Sequence, residues 1–161
     1  MDSLIIRPIK PHDNQALAYL IRHVLTEFNA NKPGTAFFDK TLDSLSNVFT
    51  VEGSGYWVAE ENDVFIGGAG IYPTEGLPGG YCELVKLYLH ADARGKGIGK
   101  KLLDTCFTSA RVAGYTHMYL ETTPELNAAI SIYKKAGFTR LRQPLGNSGH
   151  YYCTIRMVKK L

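Results

Sequence analysis

A strand-like run leads through a basic, glycine-rich segment into a predicted helix between residues 81 and 113. The segment reads Arg94-Gly95-Lys96-Gly97-Ile98-Gly99, and Lys100 and Lys101 follow it. A helix N-terminus presents unpaired backbone N–H groups and the positive end of the helix dipole, and glycines let an anion approach the backbone closely. Together with the neighbouring basic side chains, this pattern predicts a site for phosphate or pyrophosphate.

Two common nucleotide-binding motifs do not fit this segment. In the dinucleotide fingerprint Gly-x-Gly-x-x-Gly, the third glycine would stand where the chain has Lys100. In the P-loop, Ser or Thr follows the Gly-Lys pair, whereas Gly97 follows it here. The alternative to a phosphate site is a purely structural turn that connects the strand to the helix. Alternating glycines with basic neighbours favour the phosphate site over that turn.

The hydrophobic periodicity places this segment within one mixed α/β domain over residues 1–161. Runs typical of strands and of helices follow each other in the order βααβββαβαββ, with no repeat, linker or low-complexity tract. The predicted strands are 4–7, 56–60, 64–72, 81–89, 116–121, 138–142 and 150–157. The predicted helices follow Asp13, cover Phe38 to Phe49, begin at Ile98 and begin at Pro124.

The strand before the glycine segment carries a carboxyl group among apolar residues. Strict alternation over 81–89 would place Glu83 on the same face as Val85, Leu87 and Leu89. We therefore expect the Glu83 carboxyl group to lie on the same side of the sheet as the Leu87 side chain.

Composition and charge exclude several other classes of protein. The chain has 161 residues, of which 45% are hydrophobic, and a formal net charge of +3, which is typical of one globular domain. No apolar run approaches the roughly 20 residues of a membrane span, and the N-terminus lacks the apolar part of a secretory signal, so we expect a cytoplasmic protein with no membrane partner. Scattered basic residues argue against nucleic acid as a partner. The cysteines and histidines lack metal-ligand spacing and predict no metal site.

Two motifs of the chain resemble the signatures of the GCN5-related N-acetyltransferase family. The first signature, Arg/Gln-x-x-Gly-x-Gly/Ala at the start of a helix, is matched by residues 94–99. The second, Asn-x-x-Ala/Ser followed by Tyr-x-Lys-x-Gly-Phe, is matched by the run from Asn127 to Phe138. The element order fits the family from end to end, so the resemblance covers the whole chain. It implies a mixed sheet whose central parallel strands splay apart. Ala91 departs from the family pattern, because many members carry Pro there.

The resemblance implies acetyl-CoA as the cosubstrate and indicates the residues that would hold it. Backbone amides would bind the pyrophosphate, with Arg94 as the basic residue of the motif; these amides belong to Gly95, Lys96, Gly97, Ile98, Gly99 and Lys100. The main chain at Leu87 and Leu89 would pair with the pantetheine arm, and Asn127 would contact the same arm.

The resemblance also indicates which side chains would move protons. Tyr133 would stand near the thioester sulfur as the acid, although its place on an apolar helical stripe is also typical of a core aromatic. Glu83 is the candidate base, because an acceptor amine must lose a proton before it attacks. Glu121 at the end of the next strand and a relay through water stay open as alternatives.

The sequence thus predicts an enzyme that moves an acetyl group from acetyl-CoA to a primary amine of a small molecule or a protein. No cysteine is placed as an acyl nucleophile, which favours direct transfer in a ternary complex. The loops near 29–38 and 145–152 would form the acceptor pocket. The alternatives are a CoA-binding sensor without turnover and a partner-binding scaffold. A homodimer is a further expectation from the resemblance.

Overall fold

The computed structural model describes residues 3–161, so Met1 and Asp2 of the predicted domain lie outside the described residues. The strands are β1 (Leu4–Pro8), β2 (Gly55–Glu61), β3 (Val64–Tyr72), β4 (Tyr81–Leu89), β5 (His117–Thr122), β6 (Thr139–Leu141) and β7 (Ile155–Lys160). The helices are α1 (Asn14–Glu27), α2 (Leu45–Val48), α3 (Ile98–Val112) and α4 (Asn127–Lys135). The predicted order βααβββαβαββ is confirmed.

The seven strands form one mixed sheet in the order β1-β2-β3-β4-β5-β7-β6. β4 and β5 are parallel, and the other neighbouring strands are antiparallel. β4 pairs with β5 only between Tyr81–Glu83 and His117–Tyr119, although β5 continues to Thr122 alongside β7. The predicted splay is therefore confirmed, and the two strands open a fork just beyond Glu83.

Apolar side chains cover both faces of this sheet. On one face α1 buries its predicted stripe, which includes Leu17, Ile21 and Leu25. On the other face α3 buries a stripe with Leu102 and Leu103, while α4 adds Ile130. Alternate residues of β2 contribute to the two layers, with Tyr56 and Val58 on the α1 side and Ala59 on the α3 side.

The chain between α1 and β2 differs from its prediction. The single helix predicted from Phe38 to Phe49 is replaced by 3-10 turns at Ala36–Phe38 and Leu42–Ser44 and by the short helix α2. Side-chain hydroxyl groups bond to the nearby backbone there. For example, Thr35 Oγ1 accepts a hydrogen bond from the Phe37 N–H at 3.3 Å. Such local bonds compete with a continuous helix.

Two elements begin later in the structure than the sequence predicts. α4 begins at Asn127 rather than at Pro124, which lies in the preceding turn. β7 begins at Ile155 rather than at His150, because the stretch before it is a loop that bonds to other parts of the chain.

β4 contains a bulge that breaks the predicted alternation of its side chains. Lys86 has a φ of 52°, and the register with β3 shifts between Gly68 and Gly70. Beyond the bulge, Leu87 packs against the core under α3, together with Leu84 and on the face opposite to Glu83. The prediction that Glu83 shares a face with Leu87 and Leu89 is therefore wrong.

Candidate functional site

The fork between β4 and β5 opens into a cleft of about 1030 Å³. Residues Glu83 to Leu89 of β4 form one wall, and parts of α3 and α4 form the opposite side. Val24 and Phe28 of α1 also line it. In the described part of the chain, β4 has no strand partner on this side beyond Glu83, so its backbone edge faces the cleft.

The glycine segment reaches the cleft as a left-handed turn that starts α3. Gly95 and Gly97 have φ values of 75° and 79°, which glycine adopts without steric cost. The Lys101 N–H donates to the Gly97 carbonyl at 3.2 Å as the first bond of the helix. The amides of Ile98 to Lys100 therefore have no partner within the helix and remain available to an anion.

The side chains of the segment are placed unequally. Gly95, Gly97, Gly99 and Lys100 line the cleft. Lys96 is exposed, and the Ile98 side chain is buried in the core, so only its amide can serve the site. Asn127 is exposed at the first turn of α4, and the neighbouring Ala128 and Ala129 line the cleft.

Arg94 is bound by α1 and by the end of β4. Its guanidinium donates to both Glu27 carboxylate oxygens at 2.9 and 3.1 Å and to the Leu89 carbonyl at 3.0 Å. It also lies 5.0 Å from the centre of the Phe28 ring. Arg94 thus ties the glycine segment to α1, and Leu89 turns its carbonyl toward that segment rather than toward β3.

Glu83 stands at the point where β4 and β5 part. Its side chain is 4% exposed, and Oε1 accepts a hydrogen bond from the Thr74 hydroxyl at 2.5 Å. The pKa of Glu83 is raised from 4.5 to about 7: burial is the main cause, the Thr74 bond opposes it, and the charge of Glu121 adds to the rise. Glu83 is therefore a carboxyl group that can exchange a proton near neutral pH.

Glu121 meets a different environment on β5. The Tyr119 hydroxyl donates to its Oε2 at 2.6 Å, and the Ser148 hydroxyl donates to its Oε1. Because both of its oxygens already accept bonds, Glu121 fixes the loop between β6 and β7 to the sheet.

Tyr133 lies on the buried side of α4 and lines the cleft. Its side chain is 7% exposed, and its ring packs edge-on against Phe138 with 5.9 Å between the ring centres. Burial raises the pKa of the Tyr133 hydroxyl well above its usual range, so the group keeps its proton. The structure therefore gives this residue both a core face and a face on the cleft.

A charged cluster near the cleft was missed by the sequence analysis. Asp39 Oδ2 lies 2.9 Å from Lys86 Nζ, and Asp39 Oδ1 lies 2.8 Å from His150 Nε2. Burial alone would raise the pKa of Asp39, but its bonds to His150 and its attraction to Lys86 together hold it below the usual value. These residues are separated by 47 and 111 positions, so no local pattern could connect them.

Backbone and side-chain bonds hold the two loops that were predicted to form the acceptor pocket. The Tyr152 N–H donates to the Gly34 carbonyl at 3.1 Å, and the Tyr152 hydroxyl donates to Glu125 Oε1 at 2.9 Å. Thr35 from the first loop and His150 from the second line the cleft. The two loops thus form one bonded wall of the cleft.

Residues 3–161 contain neither a metal-binding cluster of acidic, His or Cys side chains nor a helix that could span a membrane. Among them, no group of three or more His, Cys, Asp or Glu side chains is close enough to hold a metal ion. No helix within these residues has the length and apolar composition that a membrane span requires.

Comparison with known proteins places the chain among acetyltransferases. The model of the acetyltransferase (GNAT) family matches residues 17–138. A relative from Escherichia coli K12, named uncharacterized N-acetyltransferase YjgM, is 39% identical over 161 residues, which cover 99% of this chain and 96% of that protein. The mammalian relatives named N-acetyltransferase 8 and 8B are longer, and this chain spans about half of their length.

Solved structures share the fold. A GNAT-family acetyltransferase from Staphylococcus aureus Mu50 superimposes with a TM-score of 0.87 at 20% identity, covering 98% of this chain and 99% of that one. The PaiA N-acetyltransferase of Thermoplasma acidophilum, solved in complex with coenzyme A, gives a TM-score of 0.77 at 20% identity with 99% of both chains covered.

Proposed function

Because the chain belongs to the acetyltransferase (GNAT) family, we propose that its cleft binds acetyl-CoA and that the acetyl group passes directly to a primary amine. The observation that carries this proposal is the meeting of two features in one cleft. The glycine-lined start of α3 supplies free amides for phosphate, and Glu83 supplies a buried carboxyl group at the fork.

The residues of the cleft fit acetyl-CoA. Left-handed Gly95 and Gly97 have open space where a Cβ atom would stand, so a pyrophosphate can approach the backbone there. The backbone edge of β4 would pair with the pantetheine arm through Leu87 and Leu89, as a peptide adds to a sheet. A cleft of about 1030 Å³ lies at the upper end of the range for ligand sites and suits a long cosubstrate. When bound, acetyl-CoA supplies an activated acetyl group.

Glu83 is the proposed base. A carboxyl group with a pKa of about 7 is partly ionised at neutral pH and can take a proton from an ammonium group, directly or through water. Glu121 is a weaker candidate, because both of its oxygens are bound by neighbouring hydroxyls.

Tyr133 is the proposed acid. Tyr133 lines the cleft and its hydroxyl is protonated at neutral pH, although burial raises its pKa and so makes it a weaker acid than a free tyrosine. From that position it would donate its proton to the departing sulfur.

Direct transfer is favoured over an acyl-cysteine route. Cys153 also lines the cleft, and burial raises the pKa of its thiol to about 12, with the charges of Glu121 and Glu83 adding to the effect. A thiol that stays protonated is a poor nucleophile.

An acceptor screen tests the proposed function. Release of the CoA thiol is measured with a panel of small amines and N-terminal or lysine peptides, and the acetylated product is identified by mass spectrometry. We expect turnover with at least one amine and a kcat/KM that rises with pH through about 7. Glu83→Gln should lower kcat/KM at neutral pH and recover in part at higher pH, where the amine loses its proton in solution. Acetyl-CoA binding without turnover on the whole panel would instead support the CoA-binding sensor.

A further inference from the structure

Tyr56 of β2 reaches across β3 to touch the bulge in β4. Its side chain is 2% exposed, and its hydroxyl donates to the Lys86 carbonyl at 2.7 Å. Burial raises the pKa of this hydroxyl well above the usual range, so it remains a donor. The contact links the core between α1 and the sheet to Lys86, the residue of β4 whose backbone is left-handed.

Two glycines of β3 create the slot in which the Tyr56 ring lies. A Cβ atom on Gly68 would stand 2.5 Å from Tyr56 Cε1, and one on Gly70 would stand 2.6 Å from Tyr56 Cδ2. No real side chain fits at such distances, so the ring rests directly on the backbone of β3. The hydroxyl therefore approaches Lys86 from the β3 side of β4.

The direction of this bond determines where the next amide points. The peptide group between Lys86 and Leu87 is planar and trans, so its carbonyl and its N–H point in opposite directions. When the carbonyl is held toward β3 by Tyr56, the Leu87 N–H points to the other side of β4. That side is the edge of β4 that faces the cleft.

We propose that Tyr56 is a positioning residue, which holds the Lys86 carbonyl and thereby aims the Leu87 N–H at the acetyl oxygen in the cleft. The inference rests on the proposed acetyl transfer. An N–H that is fixed in advance stabilises the negative charge that develops on this oxygen without any reorganisation at the moment of reaction. A non-glycine residue in a left-handed conformation is unfavourable, and the Tyr56 bond offsets part of this cost at Lys86.

Tyr56→Phe removes the hydroxyl and keeps the ring in its slot. We expect kcat to fall roughly 10-fold, less than the loss of a whole oxyanion donor, while the Kd for acetyl-CoA changes less than about twofold. The matched control is Tyr115→Phe. The Tyr115 hydroxyl also donates to a backbone carbonyl, that of Gly53 at 2.9 Å, but away from the cleft. This control should keep the parental kcat.

A spectroscopic readout separates positioning from general stability. The infrared carbonyl stretch of bound acetyl-CoA, labelled with carbon-13 at the carbonyl, should lie below that of free acetyl-CoA in the parent. It should return part of the way in Tyr56→Phe and stay at the parental position in Tyr115→Phe. If Tyr56→Phe does not fold, a fluorinated tyrosine at position 56 keeps the ring and strengthens the donor, and it should lower the stretch further.

The outcomes distinguish this inference from the proposed function. A parental kcat and a parental carbonyl stretch in Tyr56→Phe would overturn the role of Tyr56, although acetyl transfer by the parent would stand. If the parent acetylates no amine, the proposed function fails. The infrared carbonyl stretch of bound acetyl-CoA still tests whether the Leu87 N–H points at the acetyl oxygen.

Discussion

Glu83 and Glu121 are two carboxyl groups on neighbouring strands whose surroundings divide their roles. Glu83 is buried and accepts one bond, from Thr74, so its charged form is poorly stabilised. Glu121 accepts bonds from Tyr119 and Ser148. The surroundings of Glu83 therefore suit a group that exchanges a proton, whereas Glu121 anchors a loop.

The raised pKa of Glu83 predicts how stability depends on pH. The folded state binds this proton more tightly than the unfolded state, whose pKa is 4.5 against about 7 in the fold. Its contribution to stability is thus fully present below about pH 4.5 and is lost as the pH rises through about 7. Relative to Glu83→Gln, the parent should lose about 3 kcal/mol of unfolding free energy between these limits. Denaturant unfolding at several pH values measures this, and a constant difference between the two proteins would contradict it.

The Tyr133 hydroxyl can be removed without removing the ring. Tyr133→Phe keeps the contact with Phe138, so the unfolding midpoint should change little. If the hydroxyl protonates the departing sulfur, kcat should fall roughly 100-fold with little change in the Kd for acetyl-CoA. Tyr19→Phe, on an exposed position of α1, is the control for the substitution itself. An unchanged kcat under conditions where chemistry limits the rate would return Tyr133 to a packing role.

The helix α3 has a left-handed glycine at each end. Gly97 precedes the helix with a φ of 79°, and Gly114 follows it with a φ of 92°. At both positions a Cβ atom would meet nothing within 4 Å, so replacement by alanine costs backbone strain alone. The two glycines differ in one respect, because Gly97 lines the cleft at the end of α3 where the free amides are.

This symmetry gives a matched pair of variants. Gly97→Ala and Gly114→Ala should each lose about 1 kcal/mol of stability, because alanine is unfavourable in the left-handed region. Only Gly97→Ala should weaken acetyl-CoA binding, roughly 10-fold, since relief of the strain moves the amides that follow. Calorimetry measures the Kd of both proteins. Equal affinities in the two variants would remove the glycine turn from the binding site.

The loops beside the cleft are held by side-chain and backbone bonds rather than by regular structure. Asp39→Asn removes the carboxylate that binds both Lys86 and His150, so the wall formed by the two loops should loosen. We expect the KM for the acceptor to rise roughly 10-fold, with the Kd for acetyl-CoA unchanged. Asp43→Asn breaks an exposed pair with Arg22 and serves as the control. A raised Kd for acetyl-CoA with an unchanged acceptor KM would show that the cluster supports acetyl-CoA binding rather than acceptor binding, and would contradict this prediction.

The order of helices and strands could be predicted because most of them show their own hydrophobic periodicity in the sequence. The stripes of α1 and α3 and the strand-like runs depend on neighbouring residues, and the structure buries them as expected. The prediction of one helix from Phe38 to Phe49 was wrong because short polar side chains bond to the local backbone in and just before this segment.

Parts of the candidate site could be located from the sequence for the same reason. The glycine segment is contiguous in sequence, and a motif therefore reveals it. The bulge at Lys86 was missed because it depends on how β4 meets β3, and it reverses the face of Leu87. The cluster of Asp39, Lys86 and His150 was missed because it forms only when two loops meet beside the sheet.

Binding of acetyl-CoA should stabilise the two sides of the fork against unfolding. β4 and β5 share only a short paired stretch, and acetyl-CoA in the cleft would contact β4, α3 and α4 at once. A ligand that binds only the folded state at 100 times its Kd adds about 2.7 kcal/mol, which for a chain of this size raises the unfolding midpoint by roughly 5–10 °C. Adenosine diphosphate, which has the pyrophosphate but no pantetheine arm, should reach only the start of α3 and give a smaller rise at equal concentration. A midpoint that does not move with acetyl-CoA, measured by scanning calorimetry, would contradict binding in the fork.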